Sequence, residues 1–372
     1  MFFRDIIGHD DTKRALLRAV QHNHLAHAQL FDGKAGSANL ALALALATYL
    51  NCEDRQPDDA CGQCASCFKM RKLVHPDLHF VFPLPRTPKE GEDLLAELTP
   101  QWRSFLTESP YRTLSDWLAF IGTSGNQQGI IPIREARNII NKLALKSFEG
   151  EYKIMLIWQP ELLNNQAANA LLKILEEPPA KTLFLLVSSE SERLLTTIIS
   201  RTQRVVVGAF DDAQITRFLT QKGINETQAR QAAYLSEGNL ATALRLLEET
   251  DNDRHTWFAH WMRRCYTCDW VALVKLADEF DAMTKEKQKG IFDYSLHLFR
   301  DLLLWQNGAE ALIRLQDDEL TFVQNFGKVV EGTAIERLIQ EINAGYYHLE
   351  RNARAKILFL DISLTAARLL RK

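Results

Sequence analysis

Four cysteines in a short polar segment constrain the folding of this chain more than any other feature. They are spaced C-x8-C-x2-C-x2-C and are Cys52, Cys61, Cys64 and Cys67. Thiolates two residues apart can converge on one ion across a tight turn, and Gly62 permits such a turn. The spacing therefore predicts a structural Zn²⁺ site with four cysteine ligands in a module over residues 51–70.

Three other interpretations of these and neighbouring residues stay open. An iron–sulfur cluster also uses four cysteines, but its ferredoxin pattern has Cys-Pro close behind, whereas Phe68 follows here. His75 lies close to the cluster in sequence and is a candidate replacement for one cysteine. A second C-x2-C pair, Cys265 and Cys268, offers only two ligands, and we interpret it as ordinary thiols on a helix.

The composition indicates a globular protein rather than a fibrous, membrane or disulfide-rich one. At 372 residues, with about 150 residues per domain as a guide, two or three domains are expected. Six cysteines are too few for a disulfide scaffold of this length, and their clustering is typical of a reducing cytoplasm. No signal peptide and no membrane partner are predicted. The net charge of −3 gives no global basic field that would indicate nucleic-acid binding.

A glycine loop upstream of the cysteines has the frame of a phosphate-binding loop without its chemistry. A working loop has the pattern G-x-x-x-x-G-K-[ST], in which the lysine contacts phosphates and the hydroxyl contacts Mg²⁺. Counting from Gly33, the second glycine is replaced by Ala38, the lysine by Asn39 and the hydroxyl residue by Leu40. ATP hydrolysis is therefore not expected. An ordinary glycine turn is the alternative interpretation of the loop taken alone.

The acids of such a site are missing as well. In an ATPase with a phosphate-binding loop of this kind, acidic residues follow a neighbouring buried strand. Here the strand that begins at Lys153 is followed by Trp158 and Gln159, which neither hold Mg²⁺ nor activate water. Both the phosphate-loop residues and the acidic residues of an ATPase site are therefore absent.

Hydrophobic patterning predicts an α/β domain followed by helices. Short strands are predicted to end at Leu30-Phe31 and to span 79–82 and 204–207, and buried strands are predicted over 153–158 and 182–187. Because helices alternate with these strands, a parallel sheet is expected. After Gly208 no strand signal remains, and 211–248 predicts three short helices. The predicted fold class is therefore α/β plus all-α.

Two motifs carry a resemblance to a known family. One is N-N-Q-A-A-N-A-L-L-K-I-L-E-E-P-P, from Asn164 to Pro179, and the other is Ile199-Ser200-Arg201-Thr202. With the four cysteines and the altered loop, the chain resembles the clamp-loader branch of the AAA+ proteins, and within it the family of bacterial DNA polymerase III delta-prime subunits. The resemblance is strong over 1–76 and 131–207, and weak over the C-terminal third.

The resemblance implies a domain organisation. An AAA+ RecA-like domain is expected over 1–207, with the zinc module (51–70) and an insertion of unassigned role (83–129). A helical lid is expected over 208–250. A C-terminal helical collar domain, which mediates oligomerisation in the family, is expected over 251–372.

The resemblance also implies roles for single residues. The family's Ser-Arg-Cys motif carries an arginine that reaches a neighbouring subunit's ATP, and Ser200, Arg201 and Thr202 match it with Thr in place of Cys. A solvated or ion-paired surface arginine is the alternative. A second arginine, expected in the lid near Ala241, is absent. A polar stripe with helical spacing is either a solvent face or a subunit contact, and comprises Gln166, Asn169, Lys173 and Glu176.

The implied function is that of a non-hydrolysing, stator-like clamp-loader subunit that supplies Arg201 in trans. The implied partners are the gamma/tau and delta subunits, the sliding clamp, and primer–template DNA through the complex. The polymerase activity would lie in another subunit. The alternatives are an ATP-hydrolysing, gamma/tau-like subunit and a zinc-dependent nucleic-acid-binding protein outside replication.

Overall fold

Backbone contacts divide the chain into two compact units. The first comprises Met1–Ile224 and Glu237–Thr242, and the second comprises Asn225–Ser236 and Ala243–Lys372. The computed structural model describes residues 1–123, 129–135, 138, 143, 147–248, 251–313, 315, 317–351 and 353–370.

One parallel β-sheet forms the centre of the first unit. Its strands are β1 (Ala28–Asp32), β2 (Leu78–Val81), β3 (Lys153–Trp158), β4 (Thr182–Ser188) and β5 (Gln203–Val206). Their order is β2-β3-β4-β1-β5, and every neighbouring pair is parallel. Strands β3 and β4 are buried along their whole length, which explains their continuous apolar sequences. The predicted α/β class with a parallel sheet is confirmed.

Helices cover this sheet. They are α1 (Asp10–Gln21), α2 (Asn39–Leu50), α3 (Ala65–Arg71), α4 (Leu94–Glu108), α5 (Leu114–Phe120), α6 (Asn165–Glu176), α7 (Thr196–Ile199) and α8 (Asp212–Gln221), with 3₁₀ turns at Phe3–Asp5, Pro160–Leu162 and Ser191–Arg193. Helix α2 is buried at every position, as expected for a helix that is apolar on all sides. Helix α6 buries only one face, through Ala167, Leu171 and Leu175, and exposes the other.

The insertion over 83–129 covers the end of strand β3. Trp102 of α4 stacks on Phe82 with 4.7 Å between ring centroids, and its ring lies 4.9 Å from that of Trp158. All three side chains are buried. The described part of the insertion is therefore an aromatic cover that belongs to the core of the first unit, while residues 124–128 lie outside the described residues.

All the regular secondary structure in the described residues of the second unit is helical. Its helices are α9 (Glu226–Leu235), the part of α10 (Leu240–Glu248) from Ala243 onward, α11 (Asp251–Thr267), α12 (Trp270–Ala282), α13 (Lys285–Gln306), α14 (Asp317–Gly327), α15 (Gly332–Glu350) and α16 (Ala355–Leu369), with a 3₁₀ turn at Glu310–Leu312. Trp261 and Phe359 meet at its centre with 4.7 Å between their rings. The all-α part of the predicted fold class is confirmed.

The predicted lid contributes to both units, and its status as a separate domain stays a prediction. Among the described residues, none of the helices is both long and apolar enough to cross a membrane.

Candidate functional site

The altered phosphate loop between β1 and α2 is tied to the sheet by the residue that replaces the lysine. The amide nitrogen Nδ2 of Asn39 donates to the carbonyl oxygens of Gly33 and Ser188, each at 3.0 Å. Ser188 is the last residue of β4, and the Asn39 side chain is buried. A lysine here would extend its ammonium towards a phosphate. The shorter amide satisfies two backbone carbonyls of the protein instead.

A second asparagine occupies the tip of the loop. Gly36 has a φ of +77°, and a Cβ atom on it would lie 1.8 Å from Oδ1 of Asn239. The N–H of Leu240 donates to the carbonyl of Gly36 at 3.2 Å, and Oδ1 of Asn239 accepts the N–H of Thr242 at 3.0 Å. Asn239 and Leu240, at the start of α10, are therefore held against the loop, directly before Ala241, where the resemblance places the missing lid arginine.

The end of β3 carries an aromatic ring and an amide where an ATPase has acids. Trp158 packs on Trp102 and Phe105, with centroid distances of 4.9 and 6.2 Å. Gln159 has a φ of +56°, and its Nε2 donates to Oγ of Ser189 at 2.9 Å. Neither side chain offers the carboxylate oxygens that Mg²⁺ prefers. Trp158 therefore has a packing role at a position where an ATPase has an acidic residue.

Glu161, two residues after Gln159, is a half-buried acidic residue that was not predicted as part of the site. Its Oε1 accepts the N–H groups of Ser189 and Glu190 at 2.9 and 3.1 Å. Burial raises the pKa of its carboxyl group, and these N–H groups partly oppose that shift. Glu161 therefore holds the turn that follows β4. No motif marks the residue, and its pairing spans 28 residues of sequence.

Arg201 lies between α7 and β5 and forms an ion pair. Its Nε donates to Oε1 of Glu176 at 2.6 Å, and its Nη2 contacts the same oxygen. Its Nη1 donates to the carbonyl of Thr197 at 2.8 Å. The arginine side chain is 29% exposed. The structure thus brings together the two motifs that carry the family resemblance.

The residues beside Arg201 hold the turn on which it lies. The hydroxyl of Thr202 donates to the carbonyl of Ile199 at 3.0 Å, and that of Ser200 to Thr197 at 3.2 Å. The polar stripe is exposed along one face of α6, as the helical spacing predicts, and consists of Gln166, Asn169, Lys173 and Glu176.

The four cysteine thiols of the zinc module converge on one point. All four sulfur atoms lie within 4.8 Å of one another, and those of Cys61 and Cys67 are 3.9 Å apart. With Zn–S bonds of about 2.3 Å, a tetrahedral site needs sulfur separations of about 3.8 Å. None of the four is in a disulfide. The donor set therefore fits a four-coordinate Zn²⁺ ion.

Backbone N–H groups lower the pKa of one of these thiols, that of Cys61, whereas burial raises the pKa of the Cys52 and Cys67 thiols. The N–H of Cys64 donates to the sulfur of Cys61 at 3.4 Å, and that of Cys67 donates to Cys64 at 3.4 Å. Burial by itself raises the pKa of the Cys61 thiol, but the N–H groups of Gln63 and Cys64 outweigh it and bring the pKa to about 7. A thiol with that pKa readily supplies the thiolate that metals bind. Gly62, with a φ of +78°, makes the turn.

The other metal candidates do not join this group. His75 is buried, its Nδ1 accepts the N–H of Asp77 at 3.2 Å, and its Nε2 faces Glu149 at 3.5 Å. Cys265 lies in the apolar core of the second unit, where burial raises the pKa of its thiol. Among the described residues, the four cysteines are the one group of this kind that is close enough to share a metal.

The parallel sheet, with a glycine loop leading from its first strand into a buried helix, has the arrangement of a nucleotide-binding α/β domain, with Asn39 and Leu40 where the lysine and the hydroxyl residue of a phosphate loop would stand. The chain belongs to the DNA polymerase III delta-subunit family, because the family model described as "DNA polymerase III, delta subunit" matches residues 8–211.

Curated relatives agree with this assignment. The DNA polymerase III subunit delta' of Yersinia pestis is 25% identical over 347 residues, which are 91% of this chain and 85% of that protein. The subunit delta' of Bacillus subtilis is 26% identical over 313 residues, 82% of this chain and 80% of that protein. The subunit gamma of Buchnera aphidicola is 26% identical over 257 residues, 68% of this chain and 59% of that protein. The predicted resemblance to delta-prime subunits is confirmed.

Proposed function

We propose that this chain is a non-hydrolysing, stator-like subunit of the DNA polymerase III clamp loader. The observation that carries the proposal is the loop closed by the protein's own amides, with Asn39 bonded to the sheet and Asn239 seated on Gly36. Trp158 and Gln159 at the end of β3 support it, because they replace the acids that would hold Mg²⁺.

The proposed contribution of this subunit to catalysis is Arg201, acting on ATP bound by a neighbouring subunit. A planar guanidinium matches the charge that spreads over the oxygens of a transferring phosphoryl group. Arg201 is partly exposed and lies at a turn anchored by its neighbours, which supports its presentation to another chain. We further propose a structural Zn²⁺ on the four cysteines of the module.

The proposed partners are the gamma/tau and delta subunits in the cytoplasm. Curated relatives of this chain include a gamma subunit and a tau subunit, which resemble it in sequence over 68% and 64% of its length. Contact with the sliding clamp and with primer–template DNA would come through the assembled complex, whose polymerase activity lies in another subunit.

The decisive experiment is reconstitution of the complex with Arg201→Ala and measurement of DNA-stimulated ATPase and clamp loading. An arginine finger contributes roughly 10³–10⁵ in rate in related systems. The expected loss is smaller here, because other sites in the ring would keep their own arginines. Arg193, which is also exposed and paired with a glutamate, provides the control Arg193→Ala, and its rates should be unchanged.

Two results would contradict the proposal. Equal rates for Arg201→Ala and wild type, at matched assembly, would show that Arg201 does not act in trans. ATP turnover by the isolated chain above a buffer blank would favour the gamma/tau-like alternative instead.

A further inference from the structure

The ion pair between Glu176 and Arg201 joins two rigid supports. Glu176 is the last residue of α6, and the preceding Leu175 is fully buried. Arg201 follows α7 on a turn fixed by the hydroxyl of Thr202. The two charged groups are 25 residues apart in sequence, so this contact depends on the packing of α6 beside α7.

Glu176 contacts one side of the guanidinium and leaves a donor free. One carboxylate oxygen, Oε1, accepts from both Nε and Nη2, while Nη1 donates to the carbonyl of Thr197 and to the hydroxyl oxygen of Ser200. A guanidinium has five N–H donors, and these contacts use four of them. One donor, on Nη2, therefore remains for a phosphate while the carboxylate stays in place.

The ion pair between Glu176 and Arg201 is better suited to orient the guanidinium than to stabilise the fold. The two side chains are 29% and 47% exposed, and an ion pair so open to water contributes little to folding. An unheld arginine, however, populates many rotamers, and ordering it during the reaction costs conformational entropy. A carboxylate that fixes the plane of the guanidinium beforehand lowers that cost.

We propose that Glu176 is a positioning residue for Arg201, and that it holds the guanidinium in the orientation in which it meets ATP on the neighbouring subunit. The inference rests on the proposed role of Arg201 in trans. Glu176, at the end of the exposed polar stripe on α6, would then have a role in ATP hydrolysis, in addition to any role in subunit contact.

The test measures the ATPase turnover number of the reconstituted complex at saturating ATP and matched assembly. Glu176→Ala should lower it roughly tenfold, within the 100-fold that a misplacement of about 1 Å can cost. Glu176→Gln keeps an oxygen acceptor without the charge and should fall between Glu176→Ala and wild type. Glu177→Ala removes the adjacent exposed carboxylate and should leave the rate unchanged.

The double variant Glu176→Ala/Arg201→Ala separates positioning from a structural effect. If Glu176 acts through Arg201, the double variant should match Arg201→Ala alone, because there is no guanidinium left to orient. Independent, multiplicative losses would contradict the inference. An unchanged or raised rate for Glu176→Ala would also contradict it, and a raised rate would mean that Glu176 masks the arginine.

Failure of this inference can be told apart from failure of the proposed function. A lowered rate for Arg201→Ala with a wild-type rate for Glu176→Ala refutes the positioning role alone. An unchanged rate for Arg201→Ala refutes the arginine finger and, with it, the role given to Glu176.

Discussion

Asn39 shows how a single residue closes a nucleotide loop. Its amide donates to the carbonyls of Gly33, which directly follows β1, and of Ser188, the last residue of β4, so the shape of the loop does not require a phosphate. Substitution with the lysine of a working phosphate loop should therefore destabilise this loop without producing ATP hydrolysis.

We expect Asn39→Lys to lower the free energy of unfolding by about 1–3 kcal/mol, because the carbonyls of Gly33 and Ser188 lose a buried donor. No ATP turnover should appear, since the acids at the end of β3 are still absent. Urea unfolding and an ATPase assay on the isolated chain measure both effects. Lys34→Ala, at an exposed position of the same loop, is the control and should change little. Turnover by Asn39→Lys would contradict this account of the site.

Trp158 gives a second prediction at this scale. Its ring is 2% exposed and lies in the aromatic cluster under the insertion. Removal of so large a buried ring, as in Trp158→Ala, should cost about 3–5 kcal/mol of stability. Phe148→Ala, in the same unit but at an 82% exposed position, should cost far less. Equal shifts in the urea midpoint would show that the cluster does not support the first unit.

Single residues also mark the limit of prediction from sequence. The replacement of the second glycine, the lysine and the hydroxyl residue by Ala38, Asn39 and Leu40 follows from counting along a motif, because the motif fixes each position. The partners of Asn39 do not follow, since Ser188 lies 149 residues away and meets it only through the pairing of β1 with β4. Arg201 was recognisable from its motif, but its pairing with Glu176 was not.

Among the elements, the zinc module is the one that we expect to depend most on a bound metal rather than on its own packing. Its helix α3 has seven residues, and so short a helix is marginal alone in water. The module also anchors the start of the chain, because the buried carboxylate of Asp59 accepts the N–H groups of Phe3 and Arg4 at 3.1 and 3.0 Å. Metal binding and the order of the first residues should therefore be linked.

We predict one zinc per chain by metal analysis, with loss of the metal in Cys61→Ser and retention in Cys268→Ser. Chelation should lower the thermal midpoint and speed amide exchange at Phe3, because Asp59 moves with the module. Substoichiometric zinc, or the visible absorbance of an iron–sulfur cluster, would contradict the assignment. Unchanged exchange at Phe3 after chelation would show that the anchor is independent of the metal.

Strands β3 and β4 were predictable within a residue because buried parallel strands are continuous apolar runs. Strand β3 was predicted over the same six residues that the structure gives it. The insertion was not interpretable in the same way. Its tryptophans, Trp102 and Trp117, lie on two helices separated by a loop that contains Pro110. That they belong to one cluster is visible only in the structure, where Trp102 packs on both Trp117 and Trp158.

At the scale of the whole molecule, residues beyond β5 complete the first unit. Phe210 packs on His9 and Tyr111, with centroid distances of 5.0 and 5.8 Å, and Phe218 also packs on Tyr111 at 5.8 Å. A fragment that ends at residue 207 loses all these contacts, together with Asn239.

We expect the fragment 1–207 to unfold at a lower temperature than the fragment 1–248, as measured by circular dichroism. The difference should shrink when Phe210→Ala is introduced into 1–248, because that change removes the same packing. Equal midpoints for the two fragments would mean that the sheet domain is complete at residue 207, as the motif boundaries alone suggest.

Under the proposed function, the contact between Asn239 and Gly36 makes this chain independent of the ratio of ATP to ADP in the cell. In a subunit with a working phosphate loop, the phosphates of a bound nucleotide lie against the glycine loop. Here a covalently attached amide takes that place at an effectively constant concentration, since it is part of the same chain. Starvation or rapid growth would leave this subunit's loop in one conformation, so that the timing of the complex would be set entirely by its neighbours.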